Sequence, residues 1–391
     1  MTTPTADASP GFGSMIFTDE HDALRASIRA FVDREIAPHV HAWERTTWPA
    51  ELARKMGAAG FLGLSVPEEY GGQGGDYYTS LVFAEELGRG GSGSVQLGLS
   101  AHIDMVVPTL VKFGTEEQKQ RWLPPAVAGE TIFALGLTEP DAGSDLAGIR
   151  TRAVRDGDEW VIDGAKTFIT NGHRAGMIML LTVTDPDAGH DGFTVFLVPM
   201  DTPGVIRERQ LEKLGMHGSD TALLAFSDVR VPDSARLGDA GKGFRHIMWE
   251  LQAERLIVAA GCLAYARYAF DKTVHYARER QTFGKRLGSH QAIRHKLAAM
   301  ATKLQAAQQL VYATAWEYAN GAYPVREISM TKLYATQVSC EIADECVQIH
   351  GGAGYIEEYD VARVLRDVRV YRIGGGADEI MLDYIGRSLG F

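Results

Sequence analysis

The sequence predicts an α+β protein in three parts, ordered helical, β, helical bundle, and three observations carry that prediction. Apolar residues keep helical spacing through roughly the first 130 positions. Between Phe133 and about Gly238 the pattern changes to short β-branched and aromatic runs separated by turn residues. After Gly243 the helical period returns and lengthens. The expected division is a flexible tail (1–16), an N-terminal helical domain (17–130), a middle β-barrel or sandwich domain (131–240) and a C-terminal antiparallel helical bundle (241–391). A chain of 391 residues suits several packed subdomains better than one core.

Taken in order, the first residues are Thr/Ala/Ser/Gly/Pro-rich and resemble neither a signal nor a transit peptide, so the default expectation is a cytoplasmic protein. Thr18-Asp-Glu-His reads as a helix start, with Leu24, Ile28, Phe31 and Val32 on one face. Further helical patterns run over about 49–59, 77–88, 95–113 and 116–127, with Pro67 to Gly75 as punctuation. In the β region, Trp160-Val-Ile, Met177 to Val183, Phe193 to Val198 and Leu223 to Phe226 read as strands, with Asp163-Gly164 and Asn171-Gly172 as turns. Three stripes then mark long helices: Leu256, Ala260, Leu263, Phe270 and Val274; Ile293 through Val311; and Ile328 through Ile349.

Composition narrows the function. A formal net charge of −11 with scattered Lys and Arg argues against nucleic-acid or anionic-membrane partners. No run approaches the roughly 18 apolar residues of a membrane span. Cys262, Cys340 and Cys346 form no CxxC pair and sit in apolar helical sequence, so they read as buried thiols, with no disulfide framework or zinc site. The stretch Leu135 to Asp145 is where helix gives way to strand. Its Pro140, Gly143 and Ser144 let backbone approach a ligand closely.

Six motifs in order support a resemblance. They are Leu137-Thr-Glu-Pro-x-x-Gly-Ser-Asp145, Gly164-Ala-Lys-Thr-Phe-Ile-Thr-Asn-Gly172, Lys213-Leu-Gly-x-x-Gly-Ser-Asp-Thr221, Arg280-Gln-Thr-Phe-Gly284 with Gln291, Gln348-Ile-His-Gly-Gly-x-Gly-Tyr355, and Gly374-Gly-Gly-Ala-Asp-Glu-Ile380. Together with the α–β–α order they resemble the acyl-CoA dehydrogenase family from Phe17 to Phe391. The resemblance implies an FAD enzyme of fatty acid β-oxidation that converts an acyl-CoA to the trans-2-enoyl-CoA. It also implies a homotetramer passing electrons to an electron-transfer flavoprotein. By the same resemblance, Leu137, Thr138, Phe168 (where Trp is usual) and Thr170 meet the flavin ring. Arg280, Thr282, Phe283, Gln291, Gln348 and Gly352 hold the ADP half in a site shared between subunits, and Glu379 is a further flavin contact. Ser144 lies near the CoA end of the substrate.

Removing an α proton requires a carboxylate whose pKa burial raises toward that of the activated substrate. Many relatives place this Glu in the C-terminal motif, where this chain has Gly375. A smaller branch, including the isovaleryl-CoA and long-chain enzymes, has Gly there and carries the Glu on the first long C-terminal helix. Glu254, followed by Arg255, fits that position, and Glu250 on the same helical face is the competing candidate. The resemblance leaves the Gly375 N–H as a donor to the thioester carbonyl. Gly374 replaces a bulky aromatic and opens space for a medium-to-long or branched acyl chain. Ala377 replaces a usual Thr and removes one flavin contact. The alternatives are an acyl-CoA oxidase, a flavin monooxygenase, dehydrogenation of a carrier-protein-bound acyl group, or a non-catalytic subunit of a larger assembly.

Overall fold

The computed structural model describes residues 16–391; residues 1–15, nearly all of the expected tail, lie outside them. Helix α1 (Asp19–Glu35) opens with Asp19, Glu20 and Asp22 in its first turn, where carboxylates meet the positive end of the helix dipole. Helix α2 is Ala50–Ala58, and α3 (Tyr77–Arg89) is capped by Asp76, which accepts from Thr79 N. Helix α4 runs continuously over Gly93–Phe113, with a π-helical stretch at Ala101–Val106. Helix α5 (Glu116–Val127) has a reciprocal cap: Thr115 Oγ1 accepts from Gln118 N, and Gln118 Oε1 accepts from Thr115 N. Phe31, Trp48, Leu62, Phe83 and Leu99 fill the core between these helices.

One expectation needs correction here. Helix α4 is long and apolar enough to cross a membrane, contrary to the sequence reading, but 78% of that apolar window is buried inside the protein. Its apolarity serves packing against β1, the long helix that follows the sheet, and the helices around it.

The middle part holds β1 (Phe133–Gly136), β2 (Arg152–Asp156), β3 (Glu159–Thr170), β4 (Met177–Val183), β5 (Phe193–Pro199), β6 (Val205–Gln210), β7 (Thr221–Pro232) and β8 (Arg236–Leu237). They join in the order β6-β7-β3-β2-β4-β5-β8, with β1 added parallel to β4. Strand β4 is apolar except for Thr182, whose buried hydroxyl donates to Thr194 O, because both its faces are covered. Ile178 and Leu180 point into the core with Trp160, Phe196 and Phe226, while Met177, Met179 and Leu181 join the core shared with the helices. Asp163-Gly164 is not a turn, as the pattern suggested. It lies inside β3 at a register shift, where Gly164 has φ +152 and a Cβ would stand 2.5 Å from Thr151 Oγ1. Asn171-Gly172 does end the strand, with Asn171 at φ +64.

The C-terminal part is built on α6 (Gly243–Glu279), α7 (Gln291–Ala319) and α8 (Val325–His350), followed by α9 (Asp360–Val368) and α10 (Asp378–Ser388). Their apolar stripes share one core with residues of α3. There α3 crosses α6 closely enough that a Cβ at Gly88 would lie 2.6 Å from Gly261 O. Cys262 and Cys346 are buried as expected, whereas Cys340 is only partly so and its thiol faces Val368 O.

Candidate active site

Helix α6 runs 37 residues and carries Glu254 and Arg255 in its interior, where both are buried. Across from them lies the loop from Ile373 to Ala377 between α9 and α10. Arg255 Nε donates to Gly375 O at 2.8 Å, and Lys332 Nζ of α8 donates to Gly376 O at 2.6 Å. Two buried cations from two helices thus pin consecutive carbonyls of the loop. Gly375 adopts φ +65, a conformation that disfavours any side chain. A Cβ there would sit 2.9 Å from Glu254 Oε2 and 3.1 Å from Oε1, so the Glu254 carboxylate fills the space where a side chain at 375 would start. Among the described residues the Gly375 N–H has no acceptor.

Burial drives the electrostatics. It raises Glu254 above the ordinary carboxylate range, against the opposing charges of Arg255 and Lys332. Glu250, one turn earlier, is pushed up further by burial and by the Glu254 and Asp104 charges. Asp104, from the π-helical stretch of α4, is raised to about 7, again mainly by burial. Glu254 Oε2 and both oxygens of Glu250 lack hydrogen-bond partners.

The loop leaving β1 forms a second wall. Leu137 packs against the same core as Met248 and Leu251 of α6, which sets this loop on the side of the Glu254 turn. Its backbone is held from below by a buried pair: Lys166 Nζ donates to Leu137 O and to Glu139 Oε1, both at 2.9 Å. Burial brings Lys166 down to about 8. Burial alone would raise Glu139, but the Lys166 charge and the Arg150 and Thr151 amides outweigh it and hold Glu139 low. Thr167 N also bonds Thr138 O at 2.9 Å. Directly after this anchor β3 shifts register, and Phe168 takes φ +58 with its ring 67% exposed. A bulky residue held in that strained conformation with its ring in solvent marks a surface shaped for something else to cover. Thr138 and Thr170 are half-buried beside it, and Ser144 is exposed on the loop.

The remaining predicted cofactor residues form a separate group. Arg280 follows the last turn of α6, Gln291 opens α7, Gln348 lies in the last turn of α8 and Gly352 just beyond, so the antiparallel packing brings them to one end of the bundle. The Tyr276 ring stacks on His350 with centroids 4.3 Å apart and ties α6 to α8 there. Thr282 is braced by His290 at 3.1 Å. Phe283 has φ +52 and is 96% exposed, a second aromatic held strained and bare. From Glu254 to Arg280 the helix advances about 39 Å, so within one protomer the two groups do not meet. No hydrogen bond joins them among the described residues. Gly374 faces open space apart from Val370 O at 3.7 Å. Glu379 is exposed in the first turn of α10, whereas the adjacent Asp378 is buried and paired with Arg372 at 2.6 Å.

Sequence reasoning missed Asp104, Lys332 and the Lys166–Glu139 pair. Lys332 had a usable signal, a cation immediately beside the apolar stripe position Thr331. Lys166 stood inside a quoted motif without a role.

Comparison with known proteins agrees with this architecture. The profile for the acyl-CoA dehydrogenase N-terminal domain matches residues 18–130, the middle-domain profile 134–229 and the C-terminal-domain profile 241–390. The chain is 38% identical to the mitochondrial long-chain specific acyl-CoA dehydrogenase of Sus scrofa, over 96% of this chain and 87% of that protein. It is 39% identical to a probable acyl-CoA dehydrogenase of Bacillus subtilis, over 95% and 98%. The crystal structure of acyl-CoA dehydrogenase from Geobacillus kaustophilus superposes with a TM-score of 0.94 at 44% identity, covering 96% of this chain and 99% of that one. Three consecutive domains matched in order, on a fold shared nearly end to end, make this chain a member of the acyl-CoA dehydrogenase family, an oxidoreductase.

Proposed function

We propose that the protein is an FAD-dependent acyl-CoA dehydrogenase in which Glu254 abstracts the α proton. The observation that carries this is the Glu254 carboxylate lying 2.9–3.1 Å from the Cβ position of Gly375. A carboxylate from α6 thereby occupies the place that a side chain at 375 would otherwise command. Burial raises its pKa toward the range a base needs, while Arg255 and Lys332 keep the ionised form accessible. The Gly375 N–H, which has no acceptor among the described residues, is the donor for the thioester oxygen, where negative charge grows as the proton leaves.

The residues present fit FAD. The exposed Phe168 and the small-residue loop at Leu137, Thr138 and Ser144 offer a surface for a flat ring, and Arg280 offers a guanidinium fork for a pyrophosphate. FAD, when bound, supplies the acceptor for the hydride leaving the β carbon. Because Arg280 stands about 39 Å along the helix from Glu254, farther than one extended dinucleotide reaches, the ADP-holding residues serve a partner protomer's ring site. That requires an oligomer, and we assign a homotetramer. The apolar side chains left bare on the C-terminal part, Tyr355, Ile373, Leu382 and Phe391 among them, suit such burial. We assign a medium-to-long or branched acyl-CoA as substrate, from the open space at Gly374, and an electron-transfer flavoprotein as electron acceptor.

The test is anaerobic addition of an acyl-CoA panel to the purified holoenzyme, following the flavin band near roughly 450 nm. We expect bleaching by wild type, and in Glu254→Gln a loss of at least about a hundredfold in rate with FAD retained. The same loss in Glu250→Gln with Glu254→Gln active would refute the assignment. Fast reoxidation of the reduced enzyme by air would identify an oxidase instead.

A further inference from the structure

The site holds more buried carboxylate than proton abstraction uses. Glu250 is 1% exposed, and neither of its oxygens has a partner. Its charged neighbours are committed elsewhere: Arg255 donates to Gly375 O and, at 3.4 Å, to Gln252 Oε1, and Lys332 donates to Gly376 O. The Tyr77 hydroxyl is committed too, donating to Ala253 O at 2.9 Å. Asp104 stands on the π-helical stretch of α4 that packs against α6, and its charge acts on Glu250 and Tyr77, so it shares one region with Glu250 and Glu254. Tyr77 and Tyr318, with ring centroids 4.8 Å apart, stand beside it, and Tyr318 feels the Glu250 charge.

Buried polar groups in folded proteins are partnered, and an orphan calls for a ligand or water. A plain alkyl chain laid beside Glu250 would displace water and return no hydrogen bond, which costs about tenfold or more in affinity per stranded group. A chain bearing a donor would satisfy it. We propose that Glu250, with Asp104, is an acceptor subsite for a hydroxyl or ammonium group on the distal part of the acyl chain, so that the enzyme selects acyl thioesters with such a donor over plain alkyl ones. This rests on the reading of Glu254 as the base. One helical turn, about 5.4 Å, separates Glu250 from Glu254 along α6. An acyl chain that runs from Glu254 toward the N-terminal end of α6, as this subsite requires, presents its fifth or sixth carbon to Glu250.

Three thioesters with the same number of chain atoms test this: heptanoyl-CoA, 6-hydroxyhexanoyl-CoA and 6-aminohexanoyl-CoA, each mixed anaerobically with holoenzyme. The hydroxyl or the amino compound should reduce the flavin with a second-order rate constant at least about tenfold above heptanoyl-CoA. Glu250→Leu should reverse the order. Glu250→Gln, which keeps an acceptor oxygen, should preserve the hydroxyl preference and covers the case in which the Leu variant does not fold. Equal or better reduction by heptanoyl-CoA in wild type overturns the subsite. If none of the three reduces the flavin while other acyl-CoAs do, the subsite fails and the dehydrogenase reading stands. If no acyl-CoA reduces it, both fail.

Discussion

Gly375→Ala probes the juxtaposition on which the active-site reading depends. Two costs follow from the structure. An Ala at φ +65 carries backbone strain of about 1–2 kcal/mol. Its Cβ would stand 2.9 and 3.1 Å from the Glu254 oxygens, well inside normal contact, so the carboxylate must retreat by about half an ångström. A displacement of 1 Å at a reacting group costs about a hundredfold, so half that predicts a loss of about tenfold in flavin reduction. The two costs separate in a double-mutant cycle with Glu254→Asp. Removing one methylene draws the carboxylate back from the slot, and the added Cβ then fits. Stopped-flow reduction should show about tenfold loss for Gly375→Ala in the native background and less than about threefold in the Glu254→Asp background, while the drop in Tm is the same in both. Equal fractional losses would mean that the carboxylate does not occupy the slot, and the argument for Glu254 would fall.

Three further outcomes are expected. Lys166→Met strips Glu139 of its buried counter-ion and Leu137 O of its donor. It should destabilise the protein by about 3–5 kcal/mol in urea unfolding and weaken FAD retention about tenfold; a Tm drop with unchanged flavin affinity would reduce the pair to a packing role. His102 is fully buried, bonded to Ala126 O and Phe133 N, and burial lowers its pKa from 6.5 to about 4. The unfolded chain therefore binds the extra proton between those values, and stability should fall by about 3 kcal/mol as pH drops from 6.5 to 4. His102→Gln should flatten that slope, and an unchanged slope would remove His102 as its source. Gly374→Tyr should narrow the acyl range measured by steady-state turnover, with long and branched substrates losing most; unaltered turnover of both would show that the open space there is not used.

Much of the fold was legible because the signals were local. The bounds of α5 follow from Thr115 and Gln118 at one end and Gly129 beyond the other. The stripe on α8, at Ile328, Thr331, Ala335, Val338, Ile342, Cys346 and Ile349, is buried throughout. What the sequence hid depends on distant partners. Gly164 resembles a turn residue, yet its role is to let β3 pass within contact of Thr151. Asp104 and Lys332 look like surface charges until α4 and α8 are packed against α6 and the loop carbonyls. The apolar run in α4 resembles a membrane span because a helix buried on most sides needs the same composition. The position of Glu254 on α6 could be read from its motif; its contact with the Gly375 slot could not.

The π-helical stretch at Ala101–Val106 holds one residue more per turn than the α-helix on either side. A helix with a surplus residue tolerates losing it. Deleting one position there would restore α-helical winding over about the same total rotation, so the flanks of α4 would keep their faces while the side chains inside the stretch, Asp104 among them, are redistributed. Loss of a single codon could therefore move Asp104 relative to Glu250 and Glu254 without disturbing the helix on either side, a change that point substitutions do not make.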